Sequence, residues 1–360
     1  MAQRKPGLRV LGSLPAPRFR IALSAPSITL FSMKRENGKL HCAPLQSLVA
    51  LLLLAMPLQA QSPGDEPAPQ GMIIASLQLA PEQAIQLQKA VDSRDFIAAE
   101  KLLLAEIDRD PRSARAARLL SYAGTVYFLN QDYMNAAVAW KKSEAIAPLD
   151  PKLRFSLAMA YIRMAHPDWA RPVLESLAEQ NGKEALYPYW LGRVDYDGHE
   201  YKRAIRNFQH AIALDPRMAR AYDNLGLCYY YQNQNDLAVS NYEKAIELDR
   251  GSEHPSAWPY LNLAITQQFL NKPGDAEKNL REAIRLDPGF AKAHFQLGTV
   301  LEDLQKPEVA LEELKEAARL DPAYAEPHMA LARVYHKLGH EASAREEAKT
   351  YLRLHPHSTP

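Results

Sequence analysis

An alanine returns eight times at one place of a 34-residue frame: Ala99, Ala136, Ala170, Ala204, Ala238, Ala276, Ala310 and Ala344. A period of that length is the signature of one supersecondary unit stacked on copies of itself. The unit is plainest from Tyr222 to Asp249. Tyr222, Leu225, Gly226 and Tyr229 precede a polar corner at Gln232–Asp236, and Ala238, Tyr242, Ala245, Ile246 and Leu248 follow it. Spacings of three and four put one apolar stripe on each of two helices. The recurring alanine lets the two helices of a unit approach closely.

Other places of the frame keep their size as well. A small residue recurs in the first helix as Gly124, Ala158, Gly192, Gly226, Ala264, Gly298 and Ala332, broken by Leu87 in the first unit. Before it stands Leu157, Leu191, Leu225, Leu263, Leu297 or Leu331, with Ala123 the exception. Large residues of the second helix recur as Leu103, Trp140, Leu174, Phe208, Tyr242, Leu280 and Leu314. Units end on Pro111, Pro148, Pro216, Pro288, Pro322 or Pro356, which stop a helix. Gly182 takes that place in the third unit, and Gly251 does the same work one residue late in the fifth. One such unit is not self-sufficient. Ordering its backbone costs roughly 1–2 kcal/mol per residue, and burying its few stripe side chains returns roughly 1.5–3 kcal/mol each. Neighbouring copies must supply the rest.

This pattern resembles the tetratricopeptide repeat, and the frame lays eight units along the chain: 80–113, 117–150, 151–184, 185–218, 219–252, 257–290, 291–324 and 325–358. The resemblance implies an all-α, right-handed superhelical solenoid of helix–turn–helix repeats. Two spacers, Ala114–Ala116 and Glu253–Ser256, interrupt the phase. In the final helix Ala344, Ala348 and Leu352 are expected to face inward. Arg345, Glu346, Glu347 and Lys349 should give the array the polar end that a terminal repeat needs.

Ahead of the array, Leu45–Met56 is an apolar run preceded by Lys34, Arg35 and Lys39 and followed by Pro57-Leu58-Gln59-Ala60. It reads as a secretory signal over 1–60 with cleavage after Ala60, too short to span a bilayer comfortably. Met33 just before the basic cluster is the expected start of translation. Cys42 has no lipid-attachment context. Residues 61–79 read as a Pro-rich linker whose last part, Met72–Leu79, is weakly apolar. The expected setting is exported, periplasmic or secreted, of the bacterial-envelope kind, with no integral membrane span in the mature chain.

Two cysteines exclude a disulfide framework. Residues 1–60 hold eight Lys/Arg and one acid, leaving 35 basic and 41 acidic residues beyond them. That balance argues against a nucleic-acid partner. No phosphate-cradling glycine loop or nucleophile elbow is present. The nearest approach to a metal pair is His336 and His340, and they read as solvated histidines; Cys228 reads as an inert thiol. The expectation is a non-enzymatic chain with no metal and no cofactor.

In tetratricopeptide proteins the first helices line a concave groove that holds peptides. Carried over by position, the groove places are Phe155, Met159 and Arg163; Tyr189, Arg193 and Tyr196; Arg220, Asp223, Tyr230 and Tyr231; Trp258, Leu261 and Phe269; and Lys292, Phe295, Glu302 and Asp303. The Lys and Asn of the chaperone-tail carboxylate clamp are missing, their places held by Ser121, Phe155, Tyr189 and Asp223 and by Thr125, Met159, Arg193 and Leu227. The resemblance therefore implies a protein–protein scaffold that holds a peptide or partner loop. The alternative is an accessory scaffold for polysaccharide synthesis or export whose aromatic groove contacts glycan.

Overall fold

The computed structural model describes residues 74–355. The expected signal segment, the expected linker up to residue 73 and the last residues of the eighth frame, Pro356 included, lie outside the described residues. Among the described residues sixteen α-helices run in eight antiparallel pairs: α1 Pro81–Asp92 and α2 Phe96–Ile107; α3 Ala114–Leu129 and α4 Tyr133–Glu144; α5 Pro151–Arg163 and α6 Pro167–Gln180; α7 Leu186–Asp197 and α8 Tyr201–Leu214; α9 Ala219–Tyr231 and α10 Asn235–Asp249; α11 Trp258–Phe269 and α12 Pro273–Leu286; α13 Ala291–Asp303 and α14 Pro307–Leu320; α15 Glu326–Lys337 and α16 Glu341–Leu354. Each helix packs on its pair mate and on the next in sequence, giving the right-handed superhelical solenoid. From the fourth pair on, successive first helices also touch one another directly, α7 with α9, α9 with α11, α11 with α13 and α13 with α15. The first helices are therefore the inner layer.

Every first helix ends the same way. One residue beyond its cap, the backbone enters the left-handed region: Arg94, Gln131, Ala165, His199, Asn233, Asn271, Gln305 and Gly339, with φ between 57° and 80°. The following amide then donates back to a carbonyl five residues earlier, as from Asp95 to Ala90, His166 to Tyr161 and Gln234 to Tyr229, at 2.8–2.9 Å. This is the Schellman closure, which satisfies carbonyls orphaned at the helix end. The second helix starts at once. Asp95 and Asp132 cap α2 and α4 with their carboxylates, and Pro167, Pro273 and Pro307 open α6, α12 and α14 at the position where proline's missing N–H costs nothing.

The eight frame alanines lie between paired helices, seven of them fully buried and Ala344 8% exposed. Leu103, Trp140, Leu174, Phe208, Tyr242, Leu280 and Leu314 are likewise fully enclosed or nearly so. The Tyr242 hydroxyl reaches into the next unit to hydrogen-bond Thr266. The spacer Ala114–Ala116 is helical: Ser113 accepts from the Ala116 amide at 3.1 Å, so α3 starts early and is the longest first helix. The other spacer is a turn in which the Ser256 amide donates to the Asp249 carboxylate. Residues 74–79 pack onto α1 and α3, with Leu77 fully buried beside Leu87 and Leu119, and Arg118 donates to the Ser76 carbonyl and the Gln78 side chain. At the far end Leu352 is 53% exposed, contrary to the inward position expected of it. Its counterparts Ile107 and Ile246 are covered by the helix that follows, and among the described residues no helix follows α16.

Candidate functional site

The inner layer of the fourth to sixth pairs gathers most of the predicted groove residues, but at different depths. Phe155, Met159, Tyr189 and Leu261 are buried, and they correct the expectation of an open groove at those places. Adjacent first helices meet there. Phe155 lies against Tyr187 and Trp190, with ring centroids 5.8 and 6.4 Å away, and Tyr189 lies 5.9 Å from Phe208. A large side chain at that position is swallowed by the next unit. Arg193 and Asp223 are also buried, 6% and 5% exposed, and form a polar core instead of a contact surface.

That polar core has a defined set of partners. Asn262 donates to the Asp223 carboxylate at 2.9 Å. Arg193 is hydrogen-bonded to Tyr189 and lies within the electrostatic reach of Asp197 and Asp223. Burial works against the Arg193 charge, but Tyr189 and Asp197 outweigh it and hold the guanidinium above its ordinary value. Burial pushes the Asp223 carboxyl up to about 6 against the pull of Asn262 and Arg193. It pushes Asp197 up to about 6 against Arg193 and His199. The Arg220 guanidinium sits 4.7 Å from the Tyr189 ring centroid, a cation–π pair joining the fourth and fifth units.

The tyrosines at the ends of the first helices behave differently. Tyr196, Tyr230 and Tyr231 are only half-buried and Phe269 is 48% exposed. Tyr196 hydrogen-bonds Tyr231. Tyr231 stacks on Tyr201 with centroids 5.1 Å apart and planes 2° apart. Tyr230 meets Tyr231 edge-on at 5.6 Å and Phe269 at 6.2 Å. The result is one continuous aromatic edge across three units. Tyr201 went unread in the sequence because it belongs to a second helix, and only the tight corner at His199 carries it back beside Tyr231.

Beyond the sixth unit, groove places are taken up by ties between repeats. Glu302 makes a bidentate pair with Arg333, at 2.7–2.9 Å. Gln268 donates to Asp303 at 2.6 Å and accepts from Gln296. Lys292 lies 5.4 Å from the Trp258 ring centroid, its pKa lowered by burial. Trp258 packs on Phe290, and Phe295 on Tyr324. Arg163 is half-buried at the end of α5. His336 bonds Glu341 at 2.7 Å, and Cys228 is fully enclosed, its thiol pushed up by burial.

A series of helix pairs with an inner layer of first helices defines a class, the helical-repeat scaffold that presents an extended surface to other macromolecules. Three tetratricopeptide repeat models match the chain, over residues 217–289, 261–325 and 301–360, and that part of it consists of tetratricopeptide repeats, of a family whose repeats bind protein partners. Over 147 residues it is 25% identical to the DnaJ homolog subfamily C member 7 homolog of Schizosaccharomyces pombe, covering 38% of this chain and 31% of that protein. The chain thus spans less than a third of that curated relative. A tetratricopeptide repeat protein from Parabacteroides merdae superposes with a TM-score of 0.57 at 15% identity, over 70% of this chain and 97% of that one. PilW, described as a type IV pilus biogenesis factor, does so with a TM-score of 0.53 at 20% identity, over 58% and 94%. These two likenesses are of fold. Among the described residues no helix is long and apolar enough to cross a membrane.

Proposed function

We propose that this chain is a non-catalytic scaffold that holds an extended segment of a protein partner along the inner face of its fourth to sixth units. The observation that carries the reading is the aromatic edge of Tyr201, Tyr231, Tyr230 and Phe269, half-open to solvent and continuous over three units. Aromatic rings are favoured at interface hot spots because they bury much area for little conformational entropy. The deeper groove places set the spacing of that edge through packing and do not touch the partner.

The test is a random dodecapeptide array probed with the purified chain and with a Tyr230→Ala, Tyr231→Ala, Phe269→Ala variant. The reading expects a set of bound peptides and at least a tenfold loss of signal in the variant at unchanged helical circular dichroism. Undiminished binding by the variant overturns it. A blank peptide array beside a positive glycan array replaces it with the polysaccharide-scaffold reading. We propose in addition that the chain is exported. This rests on the Leu45–Met56 segment and its basic approach, and N-terminal sequencing of the mature protein together with cell fractionation tests it.

A further inference from the structure

We propose that residues 61–73 of this chain lie along its own inner face, from the second unit to the fourth, as an acidic strap that a partner must displace. The docking stands by itself, while its effect on a partner rests on the scaffold reading above.

The described chain already begins on that face. Ile74–Leu77 is a short helical turn that touches α1 and α3, the first helices of the first two units. Leu77 is fully buried there, and Ile74 and Leu79 pack against the same cluster. Gln78, with φ of 55°, turns the chain away towards α1. Arg118 of α3 holds this turn, donating to the Ser76 carbonyl at 3.0 Å and to the Gln78 side chain at 2.7 Å. Traced back from α1, the segment therefore crosses to α3, and the same course continued leads to α5.

The first helices on that course are basic. Together α3 and α5 carry Arg115, Arg118, Lys152, Arg154 and Arg163 and no acidic residue. Arg115 and Arg154 are drawn to second helices, the one to Glu106 at 2.6 Å, the other to Gln180 at 2.9 Å and Ser176 at 3.0 Å. Lys152 stands one 34-residue frame beyond Arg118, at the same groove place, and Arg163 holds another groove place at the end of α5. Lys152 is exposed, and Arg118 and Arg163 are half-buried. The chain ahead of Ile74 is their complement, since residues 61–73 contain Asp65 and Glu66 and no basic residue.

The lengths agree. Pro63, Pro67 and Pro69 favour an extended course, at about 3.1 Å per residue. From Glu66 to Ile74 the chain then spans about 25 Å, against roughly 10 Å from one packed helix to the next. That brings both carboxylates over α5 and α7, within reach of Lys152 and Arg163, and lays the residues ahead of them towards Tyr196 and the aromatic edge. Each exposed ion pair is weak alone. A tether this short supplies the rest, because it keeps the segment at an effective concentration of about millimolar.

A fluorescent peptide of residues 61–73, added in trans to the full chain at low salt and read by anisotropy, decides it. The native chain should bind it weakly, because its own segment holds the site. An Asp65→Lys, Glu66→Lys variant of the chain should bind it at least tenfold more tightly. Lys152→Gln and Arg163→Gln added to that variant should remove the gain at unchanged helical circular dichroism. Equal affinity of the native chain and the Asp65→Lys, Glu66→Lys variant, or a gain that survives the two further substitutions, overturns the inference and leaves the scaffold standing. On the dodecapeptide array the Asp65→Lys, Glu66→Lys variant should give a stronger signal than the native chain, and an unchanged signal overturns displacement by a partner. A blank array beside an intact gain in trans overturns the scaffold reading and supports the docking.

Discussion

The ring of Phe208 stands where a β-carbon on Gly192 would be, its nearest carbon 2.7 Å from that point. The same exclusion holds for Trp140 over Gly124 at 2.5 Å, Tyr242 over Gly226 at 2.6 Å and Leu314 over Gly298 at 2.6 Å. Where the second helix offers Leu174 or Leu280, the first helix carries Ala158 or Ala264. Each aromatic ring of the series thus stands over a glycine. Gly192→Ala should therefore overpack the fourth unit and lower stability by about 1–3 kcal/mol. Phe208→Leu added to it should recover part of that loss, so the two changes are not additive. Urea denaturation of the two single variants and the double variant checks this.

Ala165 holds a left-handed backbone with φ of 58°, and Gln131 does so at 62°. A β-carbon in that conformation costs roughly 1–2 kcal/mol. Ala165→Gly and Gln131→Gly should each raise stability by about 1 kcal/mol, less whatever glycine gives back through the unfolded chain. Gly339→Ala, at φ of 80°, should lower it. Thermal unfolding of the three variants reads the signs directly.

Asp195 is fully buried in α7 and is tied to both neighbouring second helices. Arg171 on α6 donates to it at 2.7 Å, Asn207 on α8 at 2.7 Å, and the Arg203 guanidinium lies 3.4 Å away. Asp195→Ala takes away the acceptor of Arg171 and Asn207 while Arg171 keeps Glu175 4.0 Å away and Arg203 stays 44% exposed, and it should cost about 1–3 kcal/mol. Chemical denaturation measures it, and a loss below 1 kcal/mol would show that the tie is not holding these helices.

Stability should also depend on pH with a definite sign. Asp197 and Asp223 titrate at about 6 in the folded chain, above the roughly 4 of an exposed aspartate. Between those values the folded chain keeps protons that the unfolded chain has released, so stability falls as pH rises through the window. The charges facing them are Arg193 and, for Asp197, His199, with Asn262 bonded to Asp223. His294, raised by its hydrogen bond to Glu313, adds stability that is present in acid and lost as pH rises through its folded value. In stronger acid the order reverses. Glu106 is held low by Arg115. Glu277 is held low by Lys306 and Arg281 against burial. Both lose their contribution as pH falls. The unfolding midpoint should therefore peak at the acid edge of that window, near about pH 4, and Asp197→Asn with Asp223→Asn should flatten the fall between about pH 4 and 6.

The helix pairs were legible because their determinants are residue sizes at a fixed period: Ala238 and Gly226 are small for reasons that distance along the chain reveals. The left-handed corners were not, because Arg94, Gln131, Ala165 and His199 stand where glycine would have announced them. Depth in the groove was equally hidden. Tyr189 and Tyr196 both occupy inner-face positions of α7, yet Tyr189 is enclosed by the next unit while Tyr196 keeps part of its surface at the helix end. Periodicity tells which way a side chain leaves its helix, and the neighbour's bulk decides whether it reaches solvent. The same gap concealed the polar core, since nothing in the letters pairs Asp223 with Asn262 across 39 residues.

The central claim is that a partner lies along the inner aromatic edge, and photo-crosslinking tests it most directly. A photoreactive phenylalanine would replace Phe269 on that edge in one variant, and Leu237, exposed on a second helix, in another. With a peptide taken from the array, the account predicts an efficient crosslink from position 269 and none above background from position 237. Crosslinking from 237 with none from 269 would put the partner on the outer layer and contradict the account.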